Sequence, residues 1–187
     1  MKKRLFTLCL VLGLLLLAVS VGLFLWQHFA AQAGAEAGFG IASRLEEMLP
    51  QRTQGDASHD PGGVMPVLEL EGTDYVALLE VRGQRYPVAD SWPQAQTPAR
   101  FAGTAYGEGL VIGGPSSQFD FCGQVENGEK LLVTDMTGAV FAYTVVTTER
   151  ASSAEGRWLT EGYDLTLFCQ DPYGMEYIAV RCKRSIH

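Results

Sequence analysis

Hydrophobic and polar positions fall into two textures along this chain. Residues 5–26 are 22 consecutive positions without a charge, preceded by Lys2, Lys3 and Arg4. As a helix rising about 1.5 Å per residue, such a run crosses a bilayer core of roughly 30 Å. The basic N-terminal flank favours keeping that end in the cytoplasm. From about Met65 onward the texture changes to short runs rich in Val, Leu, Tyr and Thr, separated by Gly, Asp and Pro. These predict strands near 75–81, 85–88, 110–112, 130–135, 140–149, 163–169 and 176–184. Met136-Thr137-Gly138 reads as a turn between two of them. Several short strands with turn signals and little helix predict a closed β-barrel or a sandwich.

Between the two textures, residues 27–50 are rich in Ala and include Arg44-Leu45-Glu46-Glu47-Met48-Leu49, which predicts a helix ended by Pro50. Residues 51–63 are polar and carry Gly55, Pro61, Gly62 and Gly63, the composition of a flexible spacer. The predicted organisation is a cytoplasmic stub at 1–4, a transmembrane anchor at 5–26, a juxtamembrane helix and spacer at 27–64, and one β domain at 65–187. Trp26 and His28 stand where interfacial residues belong. The alternative for the apolar run is a cleaved secretory signal, with Ala31-Gln32-Ala33 as a cleavage-like triplet. A signal core usually has about 7–15 residues, so the longer run predicts an uncleaved anchor. Both readings send the chain from residue 27 onward outside the cell.

Charge and cysteine count narrow the function classes. Without Lys2, Lys3 and Arg4 the chain has 11 basic and 21 acidic residues, a net of −10. That opposes binding to nucleic acid or docking on anionic lipid. Of the four cysteines, Cys9 is in the apolar run, which leaves Cys122, Cys169 and Cys182. An odd number outside the membrane requires at least one thiol that is not in an intramolecular disulfide. With no CxxC pair and no His beside them, no metal site is predicted, and no cofactor. Gly113-Gly114-Pro115-Ser116-Ser117 is glycine-rich but lacks the Lys of a phosphate loop, and nothing in the sequence offers a base to Ser116 or Ser117.

Several stretches, taken in order, resemble one family. Asp74-Tyr75-Val76-Ala77-Leu78-Leu79-Glu80-Val81 with Tyr86-Pro87-Val88 is similar to the opening strands of the sortases. Gly109-Leu110-Val111-Ile112-Gly113-Gly114 resembles their strand "VIAGH". Phe119, Cys122, Val125, Gly128 and Glu129 keep the spacing that follows it. Thr134-Asp135-Met136-Thr137-Gly138 with Phe141-Ala142-Tyr143-Thr144-Val145 matches the next hairpin. Asp164-Leu165-Thr166-Leu167-Phe168 and Val180-Arg181-Cys182-Lys183-Arg184 resemble the ends of the last two strands. The resemblance spans about residues 65–186 and looks nearest to classes B and D.

The resemblance implies a mainly β protein: a closed, mostly antiparallel barrel of about eight strands with short helices, behind one N-terminal transmembrane helix, on the outside of a Gram-positive cell. It implies as partners a sorting-signal peptide, a pilin or another sortase. Sortase chemistry uses a Cys thiolate as nucleophile, a His for proton transfer and an Arg that donates to substrate or oxyanion. Carried over by position, the His falls on Pro115, the Cys on Gln170 and the Arg on Tyr177, and none of the three can perform the role. The chain's histidines are His28, His59 and His187, none within the predicted barrel body. Arg181 and Cys182 match family positions outside the catalytic set.

The expectation is a membrane-anchored extracellular sortase-like protein that is catalytically inactive and serves as a peptide-binding or scaffold module in surface-protein or pilus attachment. The alternative is an active cysteine transpeptidase that uses Cys169 in a shifted register. Cys169 lies one residue before the family position, and a one-residue slip in a strand turns a side chain to the opposite face unless a bulge re-aims it. A third reading is a structural module of the cell envelope.

Overall fold

The computed structural model describes residues 2–50, 53–54, 64–91, 97–107, 109–114, 119–152, 159, 161–170 and 176–185, with side chains of the long first helix described at 12–24 and 38–48. That helix, α1, runs Lys2–Met48. The strands are β1 Thr53–Gln54, β2 Leu68–Leu70, β3 Thr73–Val81, β4 Gln84–Ala89, β5 Ala99–Ala102, β6 Leu110–Gly114, β7 Lys130–Asp135, β8 Ala139–Ala151, β9 Leu165–Gln170 and β10 Tyr177–Arg184. A one-turn 3-10 helix at Asp120–Gly123 precedes β7. All seven predicted strands are present, and Met136-Thr137-Gly138 is the β7–β8 turn.

Pairing closes the sheet on itself. β3 pairs with both β4 and β7, β7 with β8, β8 with β10, β10 with β9, β9 with β6, β6 with β5, and β5 with β4. The result is an eight-stranded ring, with β1 and β2 added on β8 and β3. Most neighbours are antiparallel; β6–β9, the single Ala89↔Ala99 contact of β4–β5 and the added β1–β8 pair are parallel. A closed ring leaves no open edge along the path that closes it.

Period-two alternation decides which side chains fill the ring. Val76, Leu79, Val81, Val88, Leu110, Ile112, Leu131, Val133, Phe141, Tyr143, Leu165, Leu167, Ile178 and Val180 form one buried cluster. The thiols of Cys122, Cys169 and Cys182 belong to that same cluster. The β3–β4 hairpin turns on Arg82 (φ 52°) and Gly83 (φ 78°). Two successive positive φ angles match the twist of a two-residue hairpin, and Gly83 takes the second without a Cβ penalty. Arg82 is held in the left-handed region by Glu129, with Nε 2.6 Å from Oε1.

Asp135 is fully buried and spends its carboxylate on the β7–β8 turn: Oδ1 accepts from Thr137 N (2.9 Å), Thr137 Oγ1 (2.7 Å) and Ala139 N (2.9 Å). Oδ2 accepts from the Tyr106 hydroxyl, which ties the segment after β5 to this corner.

The end of α1 is part of the barrel's packing. Ala42 and Leu45 are buried against Tyr75, Leu78, Ala89, Ala99 and Met136 on the outside of the ring, with Ile41 and Leu49 beside them. Burying a Leu side chain stabilises by roughly 1.5–3 kcal/mol. Glu46 accepts from Arg85 and Glu71 from Arg44, which fixes the helix in register with the first hairpins. The predicted helix before Pro50 is therefore present and docked on the barrel. Within the predicted spacer, Thr53–Gln54 pairs with Ala139–Val140, and residues 51–52 and 55–63 lie outside the described residues. Along α1, Leu12, Leu14, Leu15, Leu16, Leu17, Val19, Val21, Leu23 and Phe24 are exposed apolar side chains. Among the described residues no helix is long and apolar enough to cross a membrane, and the side chains at both ends of the predicted 5–26 anchor lie outside them.

Candidate functional site

β9 and β10 carry Gln170 and Tyr177, which the sequence resemblance aligned with a nucleophile and an arginine. Alternation on β9 sends Leu165, Leu167 and Cys169 into the ring and leaves Thr166, Phe168 and Gln170 outside. On β10, Ile178, Val180 and Cys182 point in, while Tyr177, Ala179 and Arg181 point out. Gln170 and Tyr177 are register partners. The outer face therefore presents an exposed amide opposite a half-buried phenol, where cysteine chemistry needs a thiol and a guanidinium.

Cys169 points the other way. It is 3% exposed, and its Sγ lies 3.6 Å from the carbonyl oxygen of Phe119, which also accepts from Cys122 N. The thiol thus joins β9 to the start of the 3-10 turn inside the core. Gly114, the last residue of β6, is its register partner, and Pro115, which the sequence resemblance aligned with a histidine, lies outside the described residues, as do His59 and His187. The side chain of His28 is likewise outside them. Cys122 and Cys182 are fully buried, so all three thiols of the barrel face protein. Burial in the apolar core pushes the Cys182 thiol up to about 12, because the thiolate cannot be solvated there.

Arg181 is consumed locally. Only 1% exposed, it donates from Nε to Glu149 Oε2 (3.1 Å) and from Nη1 to Thr166 Oγ1 (3.1 Å) and Leu159 O (3.3 Å). Its guanidinium lies 5.3 Å from the centre of the Tyr163 ring. This is a paired, buried cation that pins Leu159 and Tyr163 over the outer face of β9 and β10.

Beside that covered half is a patch that sequence reasoning missed. Phe168 packs edge-on to Phe101, ring centres 4.7 Å apart at 73°, and tilted against Tyr177 at 6.4 Å. A Cβ on Gly113 would stand 2.5 Å from the Phe168 ring and 2.8 Å from the Phe101 ring. Glycine at this β6 position therefore lets both rings settle on the strand. β5 bulges between Arg100 and Ala102, and the bulge residue Phe101 stands out of the sheet, 43% exposed. The available signals were a glycine pair ending a strand and a Phe inside Ala-Arg-Phe-Ala, neither of which shows which rings meet.

Among the described residues no group of His, Cys, Asp and Glu is placed to hold a metal ion.

No family model matches the chain, and no curated protein matches it. Solved structures do. Sortase C from Streptococcus pneumoniae superposes with a TM-score of 0.56 at 18% identity, covering 83% of this chain and 90% of that one. A Clostridium perfringens sortase D5 transpeptidase gives 0.54 at 18% identity, covering 60% and 80%. Clostridium perfringens sortase C, solved with the C-terminal cell wall sorting motif, gives 0.53 at 16% identity, covering 62% and 72%. Identities this low carry fold and not chemistry. By its strand pairing and by these likenesses, the chain is a closed eight-stranded β-barrel of the sortase type.

Proposed function

We propose that this protein is a sortase-family member that has lost transpeptidase activity and binds a sorting-signal peptide, or docks a pilin or an active sortase, during attachment of surface proteins or pili. In this reading residues 1–4 lie in the cytoplasm and 5–26 span the cell membrane. Residues 27–64 form the connection to a barrel, 65–187, outside the cell. The likeness to a sortase solved with its sorting motif supports a peptide ligand, and the sortase-type barrel supports the family.

One observation carries the proposal. Gln170 and Tyr177 face each other on the outer surface, while the neighbouring thiol of Cys169 points into the core. Glutamine cannot form an acyl-enzyme, and a tyrosine at neutral pH carries no positive charge to hold an oxyanion. Residues 65–186 also contain no histidine to move protons. A peptide on this face meets hydrogen-bonding and aromatic groups without a nucleophile.

The test uses the full chain in detergent micelles with fluorescent sorting-signal peptides and with a purified active sortase. The reading expects saturable binding to one of them and no peptide cleavage. Cleavage that disappears in Cys169→Ala would overturn it, as would absence of binding to every peptide and to the sortase.

A further inference from the structure

α1 reaches the barrel as a single helix, Lys2–Met48, and meets it in two unlike ways. From Ile41 onward it is fixed. Ala42 and Leu45 are buried against Tyr75, Leu78, Ala89, Ala99 and Met136, with Ile41 and Leu49 beside them. Arg85 donates to both Glu46 and Glu80, and Arg44 donates to Glu71. Soon after the helix ends, Thr53–Gln54 pairs with Ala139–Val140, next to the turn that holds Met136. Contacts on the β2–β3 turn, β4, β5 and the β7–β8 turn thus surround this stretch, and it cannot tilt without breaking several of them. Just before it the packing is loose. Gly38 and Gly40 flank Phe39, and a Cβ at either glycine would meet nothing within 4 Å. No neighbour requires glycine there. Glycine loses more conformational freedom than any other residue on entering a helix, so the pair weakens α1 at this point. Phe39 is 41% exposed, with its ring centre 6.3 Å from that of Tyr86. Beside it lies an open groove of about 390 Å³, bounded by Phe39, Ser43, Glu46, Gln84 and Arg85, between the helix and the β3–β4 hairpin. The helix has room to lean there.

We infer that α1 bends at Gly38–Gly40: the stretch from Ile41 to Met48 moves with the barrel as one body, and the helix before Gly38 swings against it as Phe39 slides along the groove beside Tyr86. Sharp helix bends gather at identifiable weak points, and a glycine pair at the edge of a fixed segment is such a point. With residues 5–26 held in a membrane or a micelle, the swing becomes a rotation of the barrel relative to that support. α1 packs chiefly on β4, and β4 and β10 are four strands apart in either direction round the ring. The Gln170–Tyr177 face is therefore on the wall away from the joint, and the swing turns that face without covering it. The bend goes beyond the binding reading above and does not depend on it.

The experiment measures distance distributions between spin labels by pulsed electron paramagnetic resonance on the full chain in detergent micelles. A Cys9→Ser background is used, in which the three barrel thiols are buried. Labels go on exposed positions. One pair, Glu47→Cys with Thr148→Cys, spans the fixed stretch. The other, Ser20→Cys with Thr148→Cys, spans the glycines. The expected result is a narrow distribution for the first pair and a broad one for the second. Gly38→Ala combined with Gly40→Ala should narrow the second about twofold, because alanine stiffens the helix and its methyl meets no neighbour. The first pair should not change. A second pair as narrow as the first in the parent would mean that α1 is a straight rod, and the inference fails. A broad second pair that the two alanines leave unaltered would place the bend elsewhere and also overturn it. A broad first pair would show that the stretch from Ile41 is not fixed to the barrel, which sinks the inference as well.

Discussion

Gln170 and Tyr177 are direct register partners across β9 and β10, on the outside of a barrel whose nearest thiol, that of Cys169, points inside. The pleat alone causes this separation. Residues 169 and 170 are neighbours in a strand, so their side chains leave on opposite faces. The difference in burial, 3% for Cys169 against an exposed Gln170, can be read chemically.

Alkylation of the native protein at neutral pH should leave Cys122, Cys169 and Cys182 unmodified until denaturant is added. The thiol introduced by Gln170→Cys should react while the barrel is folded. Peptide mass mapping after a short iodoacetamide pulse distinguishes the four sites. Modification of Cys169 at the rate of the introduced thiol would show that it reaches solvent.

Stability should fall at alkaline pH through Cys182. Its native pKa is raised by burial from 9.0 to about 12, so the unfolded chain loses this proton first. The stabilisation from keeping the thiol neutral is complete below about 9 and is lost as pH rises from 9 towards 12. The slope is about 1.4 kcal/mol per pH unit from this group. Tyr143, raised by burial against a smaller opposing effect from Arg184, acts in the same direction. Urea melts of the parent and of Cys182→Ala across that window should converge as pH rises. Parallel curves would show that Cys182 does not titrate differently in the folded and unfolded chain.

Two glycines should respond oppositely to alanine. At Gly113 the new Cβ meets the Phe168 and Phe101 rings at 2.5 and 2.8 Å, an overpacking that costs about 1–3 kcal/mol. Gly40 is an exposed position in α1 with nothing within 4 Å of a Cβ, so Gly40→Ala should stabilise the helix by about 0.5–1 kcal/mol. Chemical denaturation of both variants reads the signs directly.

Arg181→Ala should destabilise the barrel by about 2–4 kcal/mol. It deletes a fully buried side chain and strands Thr166 and the Leu159 carbonyl without their donor. Hydrogen exchange should then rise around Leu159 and Tyr163, the two residues the guanidinium holds. Unchanged exchange there would mean that other contacts hold that segment.

The strands the sequence announced are those long enough to show alternation or a continuous Val/Leu run, such as β3, β8 and β10. β2, with three residues, and β5, with four and a bulge, were missed because neither is long enough to display a period. Their place in the sheet comes from neighbours: β5 is held between β4 and β6 and completes the ring. The resemblance to a known family singled out Gln170 and Tyr177 as positions of interest; that they are register partners on the outer face comes from the strand pairing. The contact of the Phe101 and Phe168 rings over Gly113 was not legible in the sequence. It joins residues from three strands, and only the register and the β5 bulge bring them together.

Whether the barrel binds a sorting-signal peptide without cleaving it is read by intact mass spectrometry of the full chain incubated with that peptide, with the peptide analysed from the same tube and binding followed by fluorescence anisotropy. The expected result is bound peptide, recovered whole, and a protein mass that does not change. A protein that gains the mass of the peptide's acyl half, with the adduct on Cys169 and the leaving fragment in solution, would contradict it.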